Sequence, residues 1–304
     1  MKKCLKCQNL IEQHEAIYGL HQDCFIEWFN HTDNTIEFKD LDPKKSSSTP
    51  NSNPEIKKQK NTFFHGIYLK YSARLGQTDY ILKVQEPRFP DLPLVEYLCN
   101  QIAELLKIDV PPYHLINFNG RIAFVTRNFM QDHIGTLHHI YKFLPPGEEN
   151  HNCEEIINTI LLQTGRLADI VKFIEICLFD TLIGNNDRHG RNLGIIETAQ
   201  SKKLAPMYDN PSCLGIEEDF FLVSDINPSG SIWTKASKEP KPADYIKEFQ
   251  RLGYETIVSQ FYNKIVLQSS NIIRIIDHAE LSEVRKNALK KLLQKRKGDF
   301  ENAK

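Results

Sequence analysis

Apolar positions alternate with polar ones at two different periods along this chain. Residues 63–71 and 79–84 are short runs rich in aromatic and branched side chains, and Leu75-Gly76-Gln77 between them predicts a turn and a hairpin. Residues 113–118 and 121–126 flank Asn119-Gly120 and predict a second hairpin. Between the two, Leu94, Leu98, Ile102 and Leu105 recur at helical spacing until Val110-Pro111-Pro112 stops the pattern. A longer apolar stripe follows at Leu167, Ile170, Val171, Ile174, Leu178 and Leu182, with Gly184 in the position of a helix-ending glycine. A shorter helix is expected over 154–162, a third hairpin over 193–208, and several helices between the Asn227-Pro228-Ser229-Gly230 loop and the end. Sheet first and helices later predict an α+β protein with an N-terminal antiparallel sheet with helices and a mainly helical C-terminal lobe.

The polar gaps set the expected organisation. Pro43-Lys44-Lys45-Ser46-Ser47-Ser48-Thr49-Pro50-Asn51-Ser52-Asn53-Pro54 carries no large apolar side chain and reads as a flexible connection. The expected division is therefore an N-lobe over 1–129, comprising a small cysteine-bearing segment (1–40), this Ser/Pro/Lys loop (41–61) and a sheet with one helix (62–129). Residues 130–304 form the C-lobe. A chain of 304 residues with formal net charge -1 has the length for two lobes, and its charge makes no general case for nucleic acid. Met1-Lys2-Lys3 is followed by polar residues and cysteines where a signal peptide needs an apolar core, and no apolar run approaches a membrane span. Seven scattered cysteines fit a reducing compartment. The expectation is a cytosolic protein, in the producing cell or a host cell, with no membrane association.

Candidate chemistry centres on the stretch from Leu182 to Gly194. Asp187-x-x-x-x-Asn192 has the spacing of a kinase catalytic loop, in which the Asp takes the proton of the attacking hydroxyl and the Asn binds Mg2+. That spacing alone should occur by chance roughly once in a chain of this length. Its surroundings add weight: Asp209 follows as a second candidate metal ligand, and His189 is placed to hydrogen-bond a transferring phosphate. Upstream, Lys83 on a strand and Glu96 on the next helix match the pair that orients ATP phosphates. Arg127-Asn128-Phe129 leaves the sheet where a hinge would meet adenine. These residues together point to a small two-lobed, protein-kinase-like fold using ATP and Mg2+. Two other readings stay open, a lipid kinase and a non-catalytic ATP-binding scaffold. Elsewhere, Cys4-x-x-Cys7 and His21-x-x-Cys24 form either a zinc knuckle or cysteines packed at the start of a helix. His133, His138, His139, His151 and Cys153 lack a repeated ligand spacing. The last helix carries Arg285, Lys286, Lys290, Lys291, Lys295, Arg296 and Lys297 opposite Val284, Ala288, Leu292 and Leu293, which reads as a solvated basic face over a core stripe.

The chain resembles the HipA-like serine/threonine kinases, toxins of bacterial toxin–antitoxin systems. The matching pieces are Tyr80-Ile81-Leu82-Lys83, Phe89-Pro90-Asp91-Leu92 with Glu96, Ile108-Asp109-Val110-Pro111, Ala123-Phe124-Val125-Thr126-Arg127, Gly184 through Asn192, and Leu204 through Asp209. The chain is shorter than a full HipA and looks closer to the HipT kinases of three-component HipBST systems, in which a HipS protein supplies the small N-terminal subdomain. The resemblance implies ATP- and Mg2+-dependent phosphorylation of an aminoacyl-tRNA synthetase, the tryptophanyl enzyme for HipT-like members, and so a block of translation. It also implies HipS-like and HipB-like partners, contact with DNA only through the antitoxin, and inhibitory autophosphorylation in the phosphate-side loop. Ser48 and Ser52 are the candidate acceptors. This loop departs from the family's pattern, having no glycine and carrying Glu55 where a lysine is expected.

Overall fold

The computed structural model describes residues 2–12, 14–32, 37–44, 70–144, 151–190 and 192–302. The Ser48–Glu55 loop, with Ser48 and Ser52, and most of the strand expected over 63–71 lie outside these residues. The chain opens with β1 (Lys2–Lys3), β2 (Leu10–Ile11) and α1 (Gln22–Phe29). A five-stranded antiparallel sheet follows, formed by β3 (Lys39–Lys44), β4 (Lys70–Leu75), β5 (Thr78–Val84), β6 (Tyr113–Phe118) and β7 (Arg121–Arg127), with α2 (Leu92–Leu105) inserted between β5 and β6. Its strand order is β3-β4-β5-β7-β6.

The first hairpin differs from expectation in its first strand. The partner of β5 is Lys70–Leu75, in a register running from Leu75↔Thr78 to Lys70↔Lys83. The turn sets this register: Gly76, at φ 59°, and Gln77 close the chain on itself, so each strand begins immediately beside the turn. The second hairpin forms as its Asn119-Gly120 signal predicts, with φ of 50° and 80° at the two turn residues.

The second half opens with β8 (Gly135–His139), then α3 (Cys153–Thr164) and α4 (Leu167–Ile183). After these come β9 (Gly194–Thr198), β10 (Lys202–Leu204), α5 (Asp219–Leu222), α6 (Pro242–Arg251), α7 (Glu255–His278) and α8 (Glu283–Asn302). Strand β8 joins β9 and β10 in a three-stranded sheet. Its sequence, Gly-Thr-Leu-His-His, has one large aliphatic residue and therefore no strand signature. Helix α3 is capped reciprocally, Asn152 accepting from the Glu155 backbone and Glu155 from the Asn152 backbone. Helix α4 is buried almost all round, the mark of a central core helix.

Three apolar clusters result among the described residues, the smallest holding Phe129, Leu137, Ile196, Ala205 and Tyr208. One of the two larger ones holds Leu5, Phe25, Phe29, Phe38, Tyr80, Leu82 and Phe118 against the large sheet. The other gathers Phe173, Phe179, Phe249, Phe261 and Phe300 from the helices. Helix α2 serves both: Val95, Leu98 and Ile102 belong to the helical cluster, while Tyr97 packs on the sheet cluster and Leu94 touches each. Helix α8 corrects the picture of a solvated basic face. Arg285 and Arg296 are 4% and 1% exposed, and Val284, assigned to the core stripe, is 37% exposed. Arg285 bridges Asp91 and Asp219 and also donates to the Leu214 and Glu217 carbonyls, so its burial is compensated. No helix among the described residues is long and apolar enough to cross a membrane.

Candidate active site

Helix α4 delivers the chain into the site through a glycine stop. Gly184 lies at φ 74°, ψ 35°, and a Cβ there would come within 2.8 Å of Leu292. The loop that follows is built on one buried ion pair. Asp180, in the last turn of α4, accepts from Arg188 at 2.8 and 3.0 Å and from the Asn185 amide at 2.9 Å. Arg188 also donates to the Asn192 carbonyl (3.3 Å), the Tyr208 carbonyl (2.6 Å) and the Asn210 side chain (2.7 Å). All five guanidinium N–H groups are therefore used, and they tie the helix end, the loop and the segment after β10 into one unit. Burial works against the Arg188 charge, but the Asp180 carboxylate outweighs it and holds the pKa above its ordinary value.

On that frame stand the predicted loop residues. Asp187 has its backbone N–H fixed by the Asn185 side chain (3.0 Å) and its carboxylate half exposed, 3.7 Å from the His189 ring. Partial burial and the nearby Asp209 push its carboxyl pKa up, with His189 opposing. The Asn192 side chain is buried and donates to the Asp187 carbonyl at 2.9 Å. Asp209 sits at φ 54°, a left-handed conformation uncommon outside glycine, which aims its carboxylate at the large sheet.

There it meets two lysines. Lys83 lies 2.6 Å from Asp209 and is also paired with Glu96, while Lys70 donates to both Asp209 oxygens at 3.0 Å. Lys70 and Lys83 are direct cross-strand partners, a like-charged arrangement that is unfavourable unless an anion bridges it. Burial disfavours both ammonium groups. It prevails at Lys70, whose pKa falls below normal, and is overcome at Lys83, where Asp209 and Glu96 raise it. Burial likewise opposes the Asp209 charge, yet the two lysines pull its pKa well below the usual carboxylate range. Glu96 is held in turn: Asn100 donates to its carbonyl, and the Asn210 N–H approaches its Oε1 at 3.4 Å. Its Oε2 is buried without a hydrogen-bond partner among the described residues.

Between sheet and helical lobe is a cleft of about 410 Å³ including its open mouth, lined by Ile81, Lys83, Glu96, Phe124, Phe129 and Asp209 among others. Arg127 lines it as well, with its side chain paired to Asp132 at 2.5 Å. The hinge expectation needs one correction. The Arg127 and Asn128 N–H groups are bonded to the Pro112 and Asp79 carbonyls, so these two donors are already used within the sheet. Phe129 instead packs against Tyr208, the two rings tilted and their centres 5.6 Å apart.

The structure thus brings together Lys83, Glu96, Asp209, Asp187, His189, Asn192, Arg127 and Phe129. Sequence reasoning missed Lys70, Asp180, Asn100 and Asn210 and gave Arg188 no role. Asp180 did leave a signal, a lone carboxylate in an otherwise apolar helix end. Lys70 becomes visible only when the hairpin register is known. His133, His138, His139, His151 and Cys153 form no ligand cluster among the described residues.

A five-stranded sheet with a Lys–Glu pair, a helical lobe and an Asp-bearing loop between them define a kinase-like fold. The chain belongs to the HipA-like C-terminal domain family, whose pattern matches residues 57–281. In structure it is similar to the Helicobacter pylori proinflammatory kinase CtkA (TM-score 0.65, 20% identity, 77% of this chain and 92% of that one). It is also similar to HipA of Shewanella oneidensis MR-1, solved with HipB and operator DNA (TM-score 0.58, 14% identity, 87% of this chain and 72% of that one). In sequence it is 28% identical over 149 residues to the candidate kinase Y4mE of Sinorhizobium fredii, covering 43% of this chain and 35% of that protein. It is 31% identical over 153 residues to a candidate kinase of Haemophilus influenzae, covering 44% and 45%. The matched stretch is under half the length of either relative.

Proposed function

We propose that this chain is an ATP- and Mg2+-dependent serine/threonine protein kinase of the HipA-like type. The observation that carries the reading is the convergence of Lys70 and Lys83 on Asp209, beside the half-exposed Asp187. The donors suit a magnesium-bound polyphosphate. Two ammonium groups face an oxygen ligand, a buried amide stands nearby in Asn192, and Glu96 Oε2 is an orphaned acceptor inside the same cleft. Bound Mg2+ would supply charge neutralisation of the phosphate oxygens.

The chain's own residues then divide the work. Asp209 and Asn192 would hold the metal, and Lys83 and Lys70 would neutralise phosphate charge, with Glu96 setting the direction of Lys83. Asp187 orients the acceptor hydroxyl and takes its proton, a task helped by a carboxyl pKa above its ordinary value. His189 reaches the transferring group from the same loop. Phe129, Ile81 and the aliphatic part of Arg127 offer an apolar wall for the base. Arg188 touches no substrate and acts by holding the loop against the Asp209 segment.

The acceptor favoured by the family likeness is an aminoacyl-tRNA synthetase, the tryptophanyl enzyme first, whose modification would stop translation in the cytoplasm. HipS-like and HipB-like partners and DNA contact through the antitoxin belong to the same reading, as do Ser48 and Ser52 as autophosphorylation sites. The HipT branch is favoured on these grounds. Labelled ATP added with the protein to bacterial lysate should mark one protein, identified by mass spectrometry. Asp187→Asn should abolish the label while the variant melts as the parent does; equal labelling by that variant would overturn the kinase reading. A labelled protein other than a synthetase would remove the substrate and leave the activity.

A further inference from the structure

A second chemical centre lies at the start of the chain, outside the cleft. Cys4 and Cys7 stand on a tight turn in which the Gln8 N–H donates to the Cys4 carbonyl (2.9 Å) and the Cys4 N–H to the Asn9 carbonyl (2.8 Å). Gln8 takes φ 63°, and the two-residue strands β1 and β2 pair on either side, Lys2 with Ile11 and Lys3 with Leu10. The second pair comes from a different element. His21 directly precedes α1 in extended conformation, and Cys24 lies in the first turn of that helix.

The four ligand atoms lie within 4.8 Å of one another, and among the described residues no other group of His, Cys, Asp and Glu does this. With bond lengths of roughly 2.3 Å to sulfur and 2.0–2.1 Å to nitrogen, a tetrahedral zinc sets its ligands about 3.5–3.8 Å apart. Cys7 Sγ and His21 Nδ1 stand 3.4 Å apart, which agrees with that spacing. The other ring nitrogen is fixed as well: His21 Nε2 lies 3.1 Å from the Leu10 carbonyl. An Nε2–H donating there leaves the Nδ1 lone pair facing the cysteines, the arrangement that orients metal-bound histidines.

Packing alone does not account for the cluster. Cys4 is fully buried, but Cys7 is exposed and Cys24 only partly covered, so simple burial of small apolar side chains explains one of three. The three thiols are free rather than disulfide-bonded. The segment also has little else to hold it in shape. Its apolar residues Leu5, Ile11, Leu20, Phe25 and Phe29 share one cluster with residues of the sheet, and β1 and β2 are two residues each.

We propose that Cys4, Cys7, His21 and Cys24 bind one Zn2+ in a structural Cys3His site, and that this metal fastens the N-terminal segment to the large sheet. The attachment runs through Leu5 and Phe25 in the sheet cluster and through the Asn117 N–H, which donates to the Tyr18 carbonyl at 2.7 Å. Closed by four protein ligands, the site has no open position for substrate, so its role is structural. It is independent of the kinase reading.

The test uses the full chain, expressed and purified without chelators, with metal measured by elemental mass spectrometry. One zinc per chain is expected. His21→Cys, which keeps four ligands, should retain it, and His21→Ala and Cys7→Ser should lose it. If the cysteine variant fails to fold, Co2+ exchange into the unaltered protein gives a second readout, in which tetrahedral d–d bands and a thiolate charge-transfer band are expected. Chelation should then speed amide exchange over residues 2–30 and leave α4 protected. A folded, reduced protein that carries no zinc and takes up neither Zn2+ nor Co2+ overturns the proposal. So does zinc that persists undiminished in both Cys7→Ser and His21→Ala.

Discussion

Two buried charge clusters lie side by side in this protein and are built on opposite terms. Around Arg188 every donor is used: five N–H groups meet Asp180, Asn210 and two carbonyls, and the carboxylate also takes the Asn185 amide. Around Asp209 the bonding is incomplete. Two like charges oppose each other across a hairpin, one carboxylate oxygen of Glu96 has no hydrogen-bond partner among the described residues, and Asp209 itself holds a disfavoured backbone conformation. A fully satisfied cluster fixes geometry and leaves nothing to react with. A cluster with spare acceptors and strained anchors can exchange its internal partners for those of a ligand. On the proposed kinase reading the first is the frame and the second the working part, and the difference can be read from hydrogen-bond accounting before any substrate is considered.

The sharpest way to break that distinction is through activity. Asp187→Asn should lower phosphate transfer by at least about 100-fold while shifting stability by less than about 0.5 kcal/mol, as its side chain is half exposed. Transfer assays paired with thermal melting separate the two effects. Arg188→Met should do the reverse at the level of folding, costing about 3–5 kcal/mol in urea denaturation because Asp180 is left charged and buried without its partner. If Arg188→Met proved as stable as the parent, the frame would lose its meaning. Lys70→Met falls between: transfer should drop while the protein stays folded, since the change relieves the opposition to Lys83.

A buried group that stays neutral gives a smaller and pH-dependent test. His114 is packed against Trp28 and Phe29, with Lys6 nearby, and burial pushes its pKa down to about 4 from 6.5. In the unfolded chain it takes up a proton near the ordinary value, so between those limits the unfolded state binds more protons. Stability should therefore fall as pH drops from about 6.5 toward 4, by an amount on the order of 3 kcal/mol when complete. His114→Phe should flatten that limb in acid-dependent melting. The smallest effect is expected at the exposed Lys295–Asp225 pair on α8, where Lys295→Ala should change stability by less than about 1 kcal/mol.

The elements that carry periodic apolar patterns were legible: α2, α4, the second hairpin and the fold class all follow from spacing and turn residues. Strand β8 was not, since two histidines, a threonine and a glycine carry no alternation. Within the site, residues with a motif spacing or a family match could be named, and Lys83, Glu96, Asp187, Asn192 and Asp209 do meet. Lys70 could not, because its relation to Lys83 is a matter of strand register and depends on where Gly76 turns the chain. Arg285 and Arg296 looked like surface charge for a similar reason: composition reports a basic helix, while burial depends on which acids and carbonyls the remainder of the fold brings to it.

Helix α2 has a consequence for anyone who wishes to dissect this protein. A fragment cut after Phe129 would carry the sheet away with Val95, Leu98 and Ile102 stripped of their covering, each forfeiting about 2 kcal/mol of burial. The complementary fragment would keep a matching trough. Expressed singly, both pieces should be sticky and insoluble; expressed together, they should find each other and restore the cleft by non-covalent complementation.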